Sequence, residues 1–330
     1  MTGSAGLVSL VSLVTGSSVR VRVPASSANI GPGFDSIGLA LAIWDECVAT
    51  VTAEPGLRID IEGEGARDVP RDELNLIHRA MLHAWQQLRV QAPAGLHLSS
   101  RNAVPQCRGL GSSATSIVAG VVAAQGLSDI ATGRDGAGDG FGAGLDRTFT
   151  NNVAAAMEGH PDNSSASVFG GMTLSWADDD QPGQIHTVQL RVNAGVVPLV
   201  FVPAAKLSTA SARAVLPAQV PHAVAARNSA RAALLVEAVT RRPDLLLAAT
   251  REWLHQEQRR PAFPASMALL DVLREKGHAA VISGAGPSVL VLTTAAQLQD
   301  ARAQGEGAVW RVLEPGIPES GAHLERLLPQ

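Results

Sequence analysis

Val19, Val21 and Val23 alternate with Arg20 and Arg22, a period of two that predicts a half-buried strand ended by Pro24. Beyond a tight turn at Gly31-Pro32-Gly33, strand-like runs follow at 39–52 and 57–61. The period then changes. Between Asp72 and Val90, the residues Leu76, Ile77, Ala80, Met81, Ala84, Trp85 and Leu88 recur at helical spacing and predict an amphipathic helix. A strand-like approach through Leu96 and Leu98 enters a loop holding Gly109 and Gly111, and small and apolar residues at helical spacing follow to Gln125. Helix resumes over 150–157 and a strand covers 172–176. Further on, strands at 186–192 and 196–202 precede helices at 208–215, 221–241, 243–257 and 264–276. Apolar runs at 281–282 and 289–292 then flank a Gly-rich turn at 283–288. Few strands and long helices make an α+β pattern. The Asp-Asp-Asp-Gln-Pro-Gly stretch at 178–183 is the expected domain boundary. It divides the chain into a flexible extension (1–18), an N-terminal domain (19–177) and a C-terminal domain (178–330).

Three stretches carry chemistry. The first N–H groups of a helix lack partners and sit at the positive end of its dipole, so the loop Arg108-Gly-Leu-Gly-Ser-Ser-Ala opening a helix is an anion site suited to phosphate. The competing reading is a turn with an N-cap. A Walker-type loop carries Lys after its second glycine, where Ser112 stands here, and the only lysines are Lys206 and Lys276. Phosphates would then be neutralised by the helix end, a metal and arginine, with Arg108 nearest in sequence. The turn at 31–33 presents Asn29 and Asp35 on either side, whose alternative is local Asx-turn bonding. Glu158, His160, Asp162 and Asn163 crowd into six residues around a Gly and a Pro, a density that points to a functional site. His78 and His83, five apart, do not share a helix face and are expected at the surface or core edge. The alternating glycines at 136–144 lack the preceding strand of a dinucleotide fingerprint and are expected to form a flexible surface loop.

Composition narrows the class. The chain has 330 residues, 46% hydrophobic and 17% charged, with net charge -4, so nothing in its charge points to nucleic acid or an anionic membrane. Cys47 and Cys107 are too few and too far apart for a disulfide framework or a thiolate metal site, and a reducing cytoplasm is the expected setting. The apolar N-terminal stretch lacks a preceding positive charge and is too short to span a bilayer.

Four stretches in order, Ser27-Ala-Asn-Ile-Gly-Pro-Gly-Phe-Asp-Ser, Arg108-Gly-Leu-Gly-Ser-Ser-Ala, Glu158-Gly-His-Pro-Asp-Asn and Ser283-Gly-Ala-Gly-Pro-Ser, together resemble the GHMP small-molecule kinases and, within them, the homoserine kinase family. The likeness extends through Ser208-Thr-Ala-Ser-Ala-Arg and Leu254-His-Gln-Glu-Gln-Arg, so it covers about residues 19 to 315. It implies a two-domain α+β architecture, with a mixed α/β nucleotide-binding domain followed by a ferredoxin-like α+β domain. It implies ATP and Mg2+, with phosphates cradled by Pro105, Arg108, Gly109, Leu110, Gly111, Ser112, Ser113 and Ala114, adenine near Asn75, and magnesium on Ser113 and Glu158. L-Homoserine would lie among Asn29, Asp35, His160, Thr209, Arg213 and Arg259, with the arginines meeting its carboxylate. Asp35, Glu158, His160 and Arg213 would carry catalysis, with no residue designated as the base. The implied reaction phosphorylates the homoserine hydroxyl for threonine biosynthesis, and a homodimer is implied. Cys107, Gln258 and Val224 depart from the family's usual residues and leave open another small hydroxylated acceptor. The rival readings are a nucleotide-binding sensor without turnover and, less well supported, a serine hydrolase, for which neither Ser112 nor Ser113 sits in Gly-x-Ser-x-Gly.

Overall fold

The computed structural model describes residues 10–134, 144–305 and 310–328. In its first half the elements run β1 (Val11–Ser12), β2 (Ser18–Ala28), β3 (Ile37–Val51), β4 (Gly56–Gly63), α1 (Leu76–Leu88), β5 (Val90–Gln91), β6 (Gly95–Asn102), α2 (Ser112–Thr132), α3 (Arg147–Glu158), α4 (Asp162–Phe169), β7 (Met172–Ala177) and β8 (Ile185–Leu190). The second half follows with β9 (Val197–Pro203), α5 (Thr209–Ala214), α6 (His222–Thr240), α7 (Leu246–Ala249), α8 (Gln256–Arg259), α9 (Pro264–Glu275), β10 (Ala279–Ile282), β11 (Val289–Thr293), α10 (Leu298–Ala303), β12 (Trp310–Leu313) and β13 (His323–Leu327).

A seven-stranded sheet follows the path β13-β2-β3-β6-β4, with β7 and β8 added beside β3. The long β3 makes this possible, because its start pairs with β7 and its end with β6. Val19, Val21 and Val23 turn one face of β2 onto α1 and α2. The helix α2 is long and apolar enough to cross a membrane, but it lies buried against this sheet as a core helix. The second sheet has the order β10-β11-β9-β12, all antiparallel. Numbered from β9, that order is 2-3-1-4, the ferredoxin-like arrangement. Period-two alternation sends Val200 and Val202 toward α6 and α7, and Leu199 and Phe201 toward α9 and α10.

Several expectations need correction. Pro24 does not end its strand, because β2 passes through it at a register shift against β3, the kind of position where a sheet tolerates proline. Asp72 to Asn75 precede α1 rather than belong to it. The helix expected over 243–257 breaks after Ala249: the Glu252 carboxylate accepts from the N–H groups of Leu254, His255 and Gln256, a local alternative to helical bonding. The 178–183 turn is no boundary, since it joins β7 to β8 within one hairpin, and β13 later returns to pair with β2. Residues 1–9 and the glycine-rich stretch at 135–143 lie outside the described residues, while Val11 and Ser12 pair in parallel with β5.

Candidate active site

The loop before α2 is coiled by three residues with left-handed backbone, Cys107 (φ 56°), Gly109 (φ 71°) and Gly111 (φ 71°). Two glycines are forced by close approach as well as by φ. A Cβ on Gly109 would stand 2.2 Å from the Ser283 carbonyl oxygen, and one on Gly111 would stand 2.1 Å from Ser26 Oγ. The loop is therefore pinched between the end of β2 and the turn joining β10 to β11. Ser283 Oγ donates to the Gly109 carbonyl at 2.6 Å, so the turn at 283–288 clamps the phosphate loop. Gly111 caps α2 without a side-chain hydrogen bond, so the first turn of this 21-residue helix keeps its N–H groups for a ligand.

Asp45 on β3, which the sequence reading did not single out, sets the loop's position. Its carboxylate accepts from the N–H groups of Ala103 and Val104 at 2.7 and 2.9 Å and from Thr115 Oγ1 at 3.2 Å. Burial pushes this carboxyl up to about 6, against the pull of those donors. The available signal was an acid interrupting an apolar strand.

The loop opens on a cavity of about 410 Å³. Ile61, Val69, Leu76 and Ile77 form an apolar slot in its wall. Gly109, Gly111, Ser112, Ser113 and Gly284 also line it, together with the polar or charged side chains of Asn29, Glu158, His160, Thr209, Arg213 and Arg259. The cavity thus gathers residues from all four motifs.

Some expected ligands are otherwise occupied. Arg108 donates to the carbonyls of Gln106, Pro203 and Ala204, which ties the loop to β9 and leaves its guanidinium structurally engaged. Asn75 accepts from Ile77 and His78 N–H and donates to the Pro70 carbonyl, so its amide is the N-cap of α1 at the apolar slot. Leu110 and Ala114 are core residues, which leaves only their backbone for a phosphate, and Pro105 is buried and lines a different, shallower hollow beside Trp310.

At the polar end, Arg213 holds Asp35 through two parallel hydrogen bonds, Nη1 to Oδ2 at 3.1 Å and Nη2 to Oδ1 at 2.5 Å. Arg213 and Arg259 both lie over the Phe34 ring, 5.6 and 5.9 Å from its centroid. Arg259 is buried. Its Nε donates to the Ala212 carbonyl and its Nη1 to that of Gly284, and burial brings it down to about 10, still charged at neutral pH. Asn29 has left-handed backbone (φ 68°) and braces the turn, accepting from Asp35 N–H and donating to the Gly284 carbonyl. Thr209, exposed, begins α5.

His160 Nδ1 lies 2.7 Å from Asp162 Oδ1. Burial pulls the imidazole pKa down, yet the Asp162 hydrogen bond and nearby carboxylates outweigh it and leave the value raised. Burial raises Glu158, opposed by a hydrogen bond from Ser113.

Two oxygen-rich sets could meet a cation. Asp35, His160 and Asp162 place ligand atoms within 4.8 Å of one another. Their atoms are already spoken for: Arg213 takes both Asp35 oxygens, and Asp162 Oδ1 serves His160 and Asn163 N–H. The Ser113 hydroxyl and Glu158 carboxylate are hard oxygen donors beside the phosphate loop and fit magnesium better.

Known proteins resemble this chain in sequence and in fold. The description of the GHMP kinases N terminal domain matches residues 75–171, and that of the GHMP kinases C terminal matches residues 231–308. A homoserine kinase of Streptomyces avermitilis is 49% identical over 307 residues, 93% of this chain and 95% of that relative. A solved homoserine kinase structure from Listeria monocytogenes superposes with a TM-score of 0.72 at 29% identity, covering 94% of this chain and 99% of the other. A structure in complex with AMPPCP and magnesium, 16% identical, shares the fold with a TM-score of 0.62 over 94% of this chain and 99% of its own.

Proposed function

The chain belongs to the GHMP kinases and, within them, to the homoserine kinases, and from that premise we propose that it transfers the γ-phosphoryl group of ATP to the side-chain hydroxyl of L-homoserine, yielding O-phospho-L-homoserine for threonine biosynthesis. One observation carries the reading: a single cavity joins an uncapped helix N-terminus to Arg213, which is itself paired with Asp35. The first suits phosphates. The second suits a zwitterion, because an amino acid inserted there replaces one internal ion pair by two, its carboxylate on Arg213 and its ammonium on Asp35.

The chain's own groups supply positioning and charge. Backbone N–H groups of Gly111 to Ala114 and the hydroxyls of Ser112 and Ser113 receive the phosphates, and the apolar slot capped by Asn75 receives the base. His160, fixed by Asp162, and Asn29, braced against Gly284, shape the acceptor end. Phosphoryl transfer through a loose transition state asks for alignment and charge stabilisation more than for a strong base, and none is assigned. Ser113 and Glu158 would hold Mg2+, which when bound offsets charge on the phosphates. We place the enzyme in the cytoplasm, where Cys47 and Cys107 stay reduced, and take it as a homodimer from the family resemblance, a state that sedimentation checks.

The test is ADP release from Mg-ATP with L-homoserine, L-serine, L-threonine and mevalonate as acceptors. Turnover with homoserine that disappears in Glu158→Ala is expected. ATP binding without turnover on any acceptor would favour the sensor, and turnover confined to another alcohol would move the substrate.

A further inference from the structure

Lys206 is one of two lysines in the chain, and folding brings it to the phosphate loop. It lies in the connection between β9 and α5, which crosses the cavity mouth. There the N–H of its neighbour Leu207 donates to the Cys107 carbonyl at 3.0 Å. Lys206 Nζ meets Asp68 Oδ2 at 2.5 Å, and Asp68 stands in the connection between β4 and α1, on the rim beside the base slot. Lysine and arginine side chains lining the cavity, among the described residues, are Arg108, Lys206, Arg213 and Arg259. Arg108 is engaged by three carbonyls, Arg213 by both Asp35 oxygens, and Arg259 is buried against Ala212 and Gly284. The Lys206 pair is different. Its partners are 49% and 63% exposed and meet through one oxygen, so water and salt screen the bond, and the ammonium sits on a flexible stem.

We propose that Lys206 is the cation that meets the bound nucleotide's phosphates, exchanging Asp68 for them and drawing the β9–α5 connection over the phosphate loop. This rests on the kinase reading above. The lysine that Walker-type loops carry beside the second glycine, where this chain has Ser112, is delivered instead from the opposite half of the chain. Asp68 would hold it ready at the cavity mouth and, once free, turn to solvent.

The experiment titrates full-length wild type, Lys206→Met, Lys206→Arg and Asp68→Asn with Mg-ATP by calorimetry at two salt concentrations, with KM measured for ATP and homoserine. Lys206→Met should weaken Mg-ATP by about tenfold or more, as loss of one charge-assisted contact does, and flatten the salt dependence. KM for homoserine should stay within about twofold, Lys206→Arg should recover most of the affinity, and Asp68→Asn should bind Mg-ATP at least as tightly as wild type. Unchanged Mg-ATP affinity in Lys206→Met would overturn the proposal while leaving the kinase reading intact. Equal weakening in Asp68→Asn and Lys206→Met would overturn it too, by making the pair a structural latch. Failure of the wild type to bind Mg-ATP would instead overturn the kinase reading beneath it.

Discussion

Single side chains decide which end of the cavity does what. Arg213 and Asp35 are matched by geometry as well as charge, since a guanidinium fork spans two carboxylate oxygens and an ammonium does not. Replacing Arg213 by Lys should therefore raise KM for homoserine by about tenfold or more while KM for ATP changes little, a split that steady-state kinetics reads directly. Glu158→Ala should act elsewhere, lowering kcat by roughly 10²–10³, because it removes an electrostatic stabiliser rather than an acceptor contact. Asn29 and Asn75 illustrate what residue type alone conceals. Both line the cavity, yet each amide spends its bonds on backbone. An Asn in sequence carries no mark separating ligand from cap, because the two uses need the same donor and acceptor.

At the scale of elements, the phosphate loop is held by parts distant in sequence. Gly109→Ala meets two obstacles, a left-handed φ and a backbone carbonyl of Ser283 that cannot rotate aside. It should cost at least about 2 kcal/mol of stability and weaken Mg-ATP, as thermal melts and titration would show. Asp45 links β3, the loop and α2, and its ionisation gives a sign that can be checked. Held near 6 in the folded chain against an ordinary value of 3.8, it binds its proton more tightly folded than unfolded. Stability contributed at that residue therefore falls as pH rises from about 4 to about 6 and is level above, by on the order of 2–3 kcal/mol. Asp45→Asn keeps an acceptor for Ala103 and Val104, so its denaturation free energy should lose that slope. The periodicities located most elements to within a few residues, because amphipathic patterning is local. They failed at Pro24 and after Ala249, where a strand partner in one case and the Glu252 carboxylate in the other overrode the chain's own propensity.

Across the whole molecule, one of the three apolar clusters among the described residues is shared by the two sheets. Ala25, Ile30, Leu39, Leu41 and Leu110 from the first half pack with Val200, Val281, Leu290 and the α6 residues Leu235 and Val239 from the second. The strand β13 crosses back to cover the edge of β2, with Leu324 joining the first-half core. Residues 19–177 produced alone would lose both and should fail to fold uniquely, binding a hydrophobic dye and lacking near-ultraviolet dichroism, while the full chain should melt as one unit in calorimetry. What the amino-acid sequence determined by itself was whatever depends on neighbours along the chain: the period of each element, the Gly-rich opening of α2, and the four motifs whose wording marks the family. Only the tertiary structure decided that the 178–183 turn lies inside a hairpin, that Arg108 is spent on carbonyls, that Asp45 braces the loop, and that Lys206 stands at the cavity mouth. Those outcomes depend on which distant groups compete for the same donors, charges and apolar surface once the chain has closed on itself.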